Sequence, residues 1–368
     1  MFAYAYLKII PTRCRQLIPD SEMSPRHIES LKISSTGTLD IGTLVTCVKT
    51  RADASSPKGC LLSWPDGKFT FHLLPQHNSA IGKSDQSEQP EYQLIHEAGS
   101  SNAVWIIGNE VVCKVHAWKE GIDLESQTIA FIREHFPAIP VPEVLYELVD
   151  KSINRSFLIM KRIHARTLDV AWPQLTHQQR LNIAKEMAEY TALVATKTST
   201  HYQTVSGCGV RKPWLMQGYD FHGPIHNWFP RTIGPFTAAQ LRAHWTKIST
   251  LPPPAFEDTL VLYHDDQGPT NILISDSGDH VAAIIDWANV SYVPRFWIAT
   301  VVLCTAAFRF EHEGEGSRDW ALMFAEALKK QGFGECAAEF RKWHDTVVDY
   351  DTEDDKLEWS KVQINAPS

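Results

Sequence analysis

Tyr263-His264-Asp265-Asp266-Gln267-Gly268-Pro269-Thr270-Asn271 is the stretch on which the fold of this chain turns. It follows one apolar run, Leu260 to Tyr263, and leads into another, Asn271 to Ser275, so its polar residues occupy a loop held between buried strands. An Asp and an Asn five residues apart on such a loop suit two tasks at once. A carboxylate can orient an attacking hydroxyl and accept its proton, and hard oxygen ligands can hold the Mg2+ that bridges nucleotide phosphates. A second carboxylate, Asp286, ends the strand Val281 to Asp286 beyond the Asp276-Ser277-Gly278-Asp279 turn. From there it would reach the same metal across a hairpin. Either half alone reads equally well as a surface turn with a strand-end acid.

Upstream, Lys114 lies in Val111-Val112-Cys113-Lys114-Val115, where alternation puts Val112 and Lys114 on one face and Val111, Cys113 and Val115 on the other. A lysine in mid-strand is ordinarily an edge residue with its ammonium in water. The helix that follows, expected from about Asp123 to His135, changes that reading. Glu125, Ile129, Ile132 and Phe136 share one face, and a carboxylate turned toward a core needs a cation. Lys114 is the natural partner, and such a pair positions ATP phosphates in kinase-like sites. Gly99-Ser100-Ser101-Asn102 joins the first two strands of this region and is placed to cover phosphates, though one glycine also suits a plain hairpin turn. No G-x-x-x-x-G-K-[ST] motif occurs, which sets P-loop chemistry aside.

The coarse order of elements agrees. Tyr92 to Ile95, Val104 to Ile107, Val111 to Val115, Val144 to Val149 and Ser156 to Met160 read as strands with one helix among them, a small antiparallel sheet carrying a helix. Beyond Ile163 the pattern is mostly helical. Thr176-His177-Gln178-Gln179 and Thr237-Ala238-Ala239-Gln240 have the form of capping boxes, and further helices are expected from about Phe296, Ser317 and Glu335. Residues 197 to 235, rich in Gly, Trp, Tyr and His, read as an irregular insertion.

The ordered set of Gly99 loop, Lys114, Glu125, the strand Phe157 to Met160, His264-x-Asp266-x4-Asn271 and Ile285-Asp286-Trp287 resembles the aminoglycoside phosphotransferase/choline kinase-like family over about residues 91 to 345. The resemblance implies an α+β, bilobal protein-kinase-like fold, with a small antiparallel-sheet N-lobe (89–162) and a mainly helical C-lobe (163–368) with a substrate-side insertion at about 197–235, and leaves outside it an N-terminal extension (1–88) of unknown role. It implies an ATP-dependent phosphotransferase acting on a small-molecule hydroxyl. Asp266 would be the catalytic base, Asn271 and Asp286 the Mg2+ ligands, and Lys114, held by Glu125, the phosphate contact. Gly99, Ser100 and Ser101 would cover the phosphates, and the backbone of Met160, Lys161, Arg162 and Ile163 would form the hinge that meets adenine. His264 would pack the catalytic loop. Asp265 stands where the family usually has glycine, and Ala288-Asn289 where it often has an acid after Asp-Trp. Those two departures favour the competing reading, a nucleotide-binding pseudokinase or scaffold. A protein kinase fits less well, because Pro294 and an apolar helix follow Asp286 too soon for a peptide-docking segment.

Composition sets the frame. The 368 residues are 43% hydrophobic and 21% charged, with a net charge of -8, which argues against a partner that is nucleic acid or anionic membrane. Seven scattered cysteines without a C-x-x-C pair suit free thiols in a reducing compartment, hence the cytoplasm. The first twenty residues, basic before Asp20, leave a mitochondrial transit peptide as the lesser alternative. Ser24-Pro25 reads as a helix cap, Trp64-Pro65-Asp66-Gly67 as a turn before the strand Lys68 to Leu73, and residues 77 to 90 as a polar linker. Trp214, Tyr219, His222, His226 and Trp228 are candidate linings of an acceptor cleft, and the acids near Asp266 suit an amine-bearing alcohol.

Overall fold

The structure, a computed structural model, describes residues 30–33, 38–76, 90–98, 102–212, 215, 230–310 and 314–347. The expected readings at Ser24-Pro25, the first twenty residues, the linker from 77 to 89, the loop Gly99, Ser100 and Ser101, and the aromatic set from Trp214 to Trp228 lie outside the described residues.

Strands β6 (Tyr92–Ala98), β7 (Asn102–Ile107), β8 (Val111–Ala117), β9 (Val144–Asp150) and β10 (Arg155–Lys161) form the expected antiparallel sheet, in the order β6-β7-β8-β10-β9. Helix α1 (Glu125–His135) starts two residues later than the sequence pattern suggests, where the Leu124 N–H donates to Gln127 Oε1 at 2.8 Å. Strand β10 shows how the sheet is built. Leu158 and Met160 face α1 and the C-lobe core, while Phe157 and Ile159 face away into a second core.

That second core is the main departure from the sequence reading. Residues inside the extension 1–88 form another five-stranded antiparallel sheet: β1 (Leu31–Ile33), β2 (Leu39–Ile41), β3 (Val45–Arg51), β4 (Leu62–Asp66) and β5 (Phe69–Pro75), in the order β1-β2-β3-β5-β4. It lies face to face on the N-lobe sheet. Leu39, Ile41, Cys47, Phe71 and Leu73 share one apolar cluster with Val111, Cys113, Val115, Phe157 and Ile159. Carboxylates tie the two sheets together. Asp150 Oδ2 accepts from the Thr43 N–H and hydroxyl, each at 2.7 Å, and Asp66 accepts from the Asn109 N–H at 2.5 Å and its side-chain amide at 3.0 Å. A boundary at residue 88 therefore does not separate two cores. Trp64 and Pro65 also lie in a strand rather than a turn. Strand β4 is the edge of its sheet, where proline's missing donor costs no ladder bond.

The C-lobe holds α2 (Leu168–Ala171), α3 (His177–Val194), α4 (Ala238–Lys247), α5 (Trp297–Cys304), α6 (Asp319–Lys330) and α7 (Ala337–His344). Both capping boxes are present, with Thr176 and Thr237 each accepting from the backbone N–H three residues on. Short strands thread between the helices: β11 (Arg166–Thr167), β12 (Thr198–Ser199), β13 (His201–Tyr202), β14 (Phe236–Thr237), β15 (Leu260–His264), β16 (Ile272–Ile274), β17 (Val281–Ile284) and β18 (Val290–Val293). No helix among the described residues is long and apolar enough to cross a membrane.

Candidate active site

The site is assembled by β8, α1, the antiparallel pair β15–β18 and the hairpin β16–β17 that lies between them in the chain. Lys114 Nζ lies 2.7 Å from Glu125 Oε2 and 2.7 Å from Asp286 Oδ1, so the ion pair inferred from the helix face is present and a third partner joins it. Burial works against the ammonium, but the charges of Asp286 and Glu125 outweigh it and hold Lys114 above its ordinary value. Glu125 is buried too. Its carboxylate is kept low despite that burial by Lys114 and by a bond from His116 at 3.1 Å. Its other oxygen accepts the Trp287 N–H at 3.0 Å. Glu125 thus joins the sheet, the helix and the segment after Asp286.

Asn271 and Asp286 are brought together by strand register. Ile272 pairs with Ile284, and the Ile285 N–H donates 2.9 Å to the Asn271 carbonyl, which sets Asp286 beside Asn271 at the ends of β16 and β17. Asp286 takes a left-handed conformation, φ 62° and ψ 54°, uncommon for a residue with a Cβ and typical of constrained functional positions. The Asn271 amide is oriented by donating 2.9 Å to the Asp266 carbonyl.

His264 anchors the loop from below. Its Nδ1 accepts the Asp266 N–H at 3.2 Å, so Nε2 carries the proton and donates to the Ile285 carbonyl at 3.2 Å. Burial holds the ring neutral, pushed down to about 4, and it rests against Trp287 with centroids 4.6 Å apart.

The two adjacent acids point to different partners. Asp265 pairs with Lys212 and accepts from the Trp297 indole at 3.3 Å. Asp266 is buried beside Asp286, and burial together with that charge pushes its carboxyl up to about 7 against the pull of Lys212 and Lys114. Sequence reasoning missed Lys212, Arg211, His116 and Gln267. Gln267 fastens the loop to the helices: its carbonyl accepts the Trp320 indole at 3.0 Å, and its side chain accepts the Thr191 hydroxyl at 3.1 Å. The one available signal was the Arg211-Lys212 dipeptide, two adjacent cations in an insertion rich in Gly, Trp, Tyr and His.

At the interlobe strand end, Met160 is buried. The Lys161 and Arg162 N–H groups donate to the Glu143 and Glu110 carbonyls at 2.9 and 2.7 Å, whereas the Ile163 N–H has no partner among the described residues. The strands flanking Gly99, Ser100 and Ser101 pair as far as Ala98 with Asn102.

A model of the phosphotransferase enzyme family matches residues 93–308, more than half of the chain. The chain belongs to that family. It is a phosphotransferase by family, with a small antiparallel-sheet N-lobe and a mainly helical C-lobe. Solved structures to which this family member is similar include the GDP and kanamycin complex of APH(2")-IIia, at 14% identity over 75% of this chain and 94% of that one with a TM-score of 0.46. Another is aminoglycoside-3'-phosphotransferase of type VIII, at 19% identity over 70% and 92% with a TM-score of 0.44. These likenesses are low, and membership rests on the sequence match. A comparison with curated proteins finds no match.

Proposed function

We propose that this phosphotransferase moves the γ-phosphoryl group of ATP to a hydroxyl of a small molecule, with Asp266 as base. The observation that carries the reading is the Lys114 ammonium held between Glu125 and Asp286, with Asp266 buried alongside. The donor set suits Mg2+. Because the Asn271 amide spends its N–H on the Asp266 carbonyl, Oδ1 is left as a hard oxygen ligand beside the Asp286 carboxylate. Mg2+ held there would neutralise charge on the β- and γ-phosphates.

The chain's own residues supply the rest. Lys114 contacts the phosphates once the nucleotide draws it from Asp286, and Glu125 keeps it aimed. The Ile163 N–H, spare at the hinge Met160–Ile163, donates to the adenine edge. Gly99, Ser100 and Ser101 remain the sequence's candidates to cover the phosphates. Asp266 aligns the acceptor hydroxyl and takes its proton as the new O–P bond forms and the β,γ-bridging oxygen departs with ADP. The described cysteines are free thiols, which fits a reducing, cytoplasmic setting.

Incubation with ATP, Mg2+ and a panel of hydroxylated metabolites, read by mass spectrometry, tests this. Transfer to one or more acceptors is expected from wild type and not from Asp266→Asn. ATP binding that neither turns over nor loses its Mg2+ dependence in Asp286→Ala would instead support the scaffold reading.

A further inference from the structure

Beside the carboxylates lies a small pocket lined by Gly209 to Lys212 and by Ala288 to Ser291, the residues that follow Asp286. Arg211 and Lys212 enter it from a stretch pinned by Val210, which exchanges backbone hydrogen bonds of 2.8 and 3.0 Å with Ile233. That antiparallel bridge sets Arg231 opposite Lys212. Lys212 is committed to Asp265.

Arg211 is differently placed. Its Nη2 donates over 3.4 Å to the Ala117 carbonyl, and its Nε is buried with no hydrogen-bond partner. No carboxylate among the described residues makes an ion pair with it; burial lowers its pKa to about 10, against the longer-range pull of Asp286 and Glu125. A guanidinium offers five N–H donors in a planar fork that matches an oxyanion, and leaving such donors buried and unmade is costly. Further positive charge gathers here. Lys119, two residues beyond Ala117, is held below its usual value by burial and by the charges of Arg211 and Arg231. Asp123, the acid that lines the same pocket, accepts the Ser206 N–H at 3.2 Å.

The nucleotide phosphates already have Lys114 and the Asn271–Asp286 metal site. Arg211 belongs to the 197–235 insertion, the stretch expected from the sequence to build the acceptor pocket. Resting on the function proposed above, we propose that Arg211 binds an oxyanion carried by the acceptor. The molecule phosphorylated is then a hydroxy acid or an already phosphorylated alcohol, not an amino alcohol. Asp265, which would have suited an amine, is neutralised by Lys212.

The test titrates inorganic phosphate, followed by thermal unfolding, into enzyme saturated with AMP-PNP and Mg2+, so that the γ-phosphate position is filled. Saturable stabilisation is expected, weakened about tenfold or more in Arg211→Gln and less in Arg211→Lys, with AMP-PNP affinity within about twofold of wild type. Unfolding without phosphate shows whether each variant folds, and Arg211→Lys provides a second reading if Arg211→Gln does not. Absence of saturable phosphate binding, an unchanged Arg211→Gln, or competition between phosphate and AMP-PNP overturns the proposal. Turnover with glycerate, glycerol 3-phosphate, glycerol and ethanolamine then separates carboxylate from phosphate. Preference for ethanolamine overturns the inference while leaving phosphotransfer intact, and loss of AMP-PNP binding in wild type would instead sink the function itself.

Discussion

Glu125 accepts from three groups at once, the Lys114 ammonium, the His116 ring and the Trp287 N–H. Replacing it with Gln leaves a buried ammonium with only Asp286 and loosens the segment after it. The expected result is a fall in kcat/KM of about a hundredfold and a loss of about 2 kcal/mol or more in denaturant unfolding. Neighbouring acids should separate sharply in kinetics. Asp266→Asn is expected to lower kcat by about a thousandfold or more, and Asp265→Asn by about tenfold, since the latter only releases Lys212. Steady-state assays with the acceptor found by the panel decide this, and equal losses would move the base to Asp265. Much of this site was legible because each residue sat at a fixed offset from its neighbours: Asp266 from Asn271 on one loop, Glu125 one helical face from Ile129. The division of labour between Asp265 and Asp266 was not. It depends on Lys212 and Trp297, which approach from elsewhere in the chain and leave no local trace.

At the scale of elements, the catalytic loop is tightly seated. A Cβ on Gly268 would stand 2.1 Å from the Ala307 carbonyl oxygen, so the loop can approach the 306–308 turn only with glycine at that position. Gly268→Ala should cost about 1–3 kcal/mol in urea unfolding and depress turnover by shifting Asp266 and Asn271. The two N-lobe sheets offer a complementary test. Asp150→Ala removes four hydrogen bonds, two of them between the sheets, and should destabilise by about 2 kcal/mol or more with KM for ATP nearly unchanged. The N-lobe sheet and its helix could be read from alternation and apolar spacing. Its second layer could not, because short strands such as Leu39–Ile41 and proline-bearing β4 carry little periodicity. A cue existed nonetheless. Strand β10 is apolar on both faces, Phe157 and Ile159 on one and Leu158 and Met160 on the other, as expected of a strand covered on both sides.

Across the whole molecule, burial leaves several histidines neutral. His264 and His344 are pushed down to about 4, and His72 and His116 are also lowered. The unfolded chain takes up protons at these positions below about pH 6.5 while the folded chain does not, so stability falls as pH drops from about 6.5 to 4. Each such ring steepens the slope by up to about 1.4 kcal/mol per pH unit. His344→Phe, placed beside Phe340, should flatten part of that slope in chemical denaturation at stepped pH, and an unaltered slope would refute the assignment. Asp150 acts lower. Its hydrogen bonds with Ser152 and Thr43 overcome burial and hold its carboxyl below the ordinary value, so its contribution is complete above the usual carboxylate range and fades beneath it.

The layered N-lobe has a consequence for how the chain is made. Leu39, Cys47, Phe71 and Leu73 leave the ribosome well before Val111, Val115, Phe157 and Ile159, the residues that cover them. At about 5–20 residues per second, the first sheet waits roughly 5–20 seconds with its apolar face wet. Biogenesis of this enzyme should therefore lean on nascent-chain chaperones early in translation, ahead of any part of the catalytic loop.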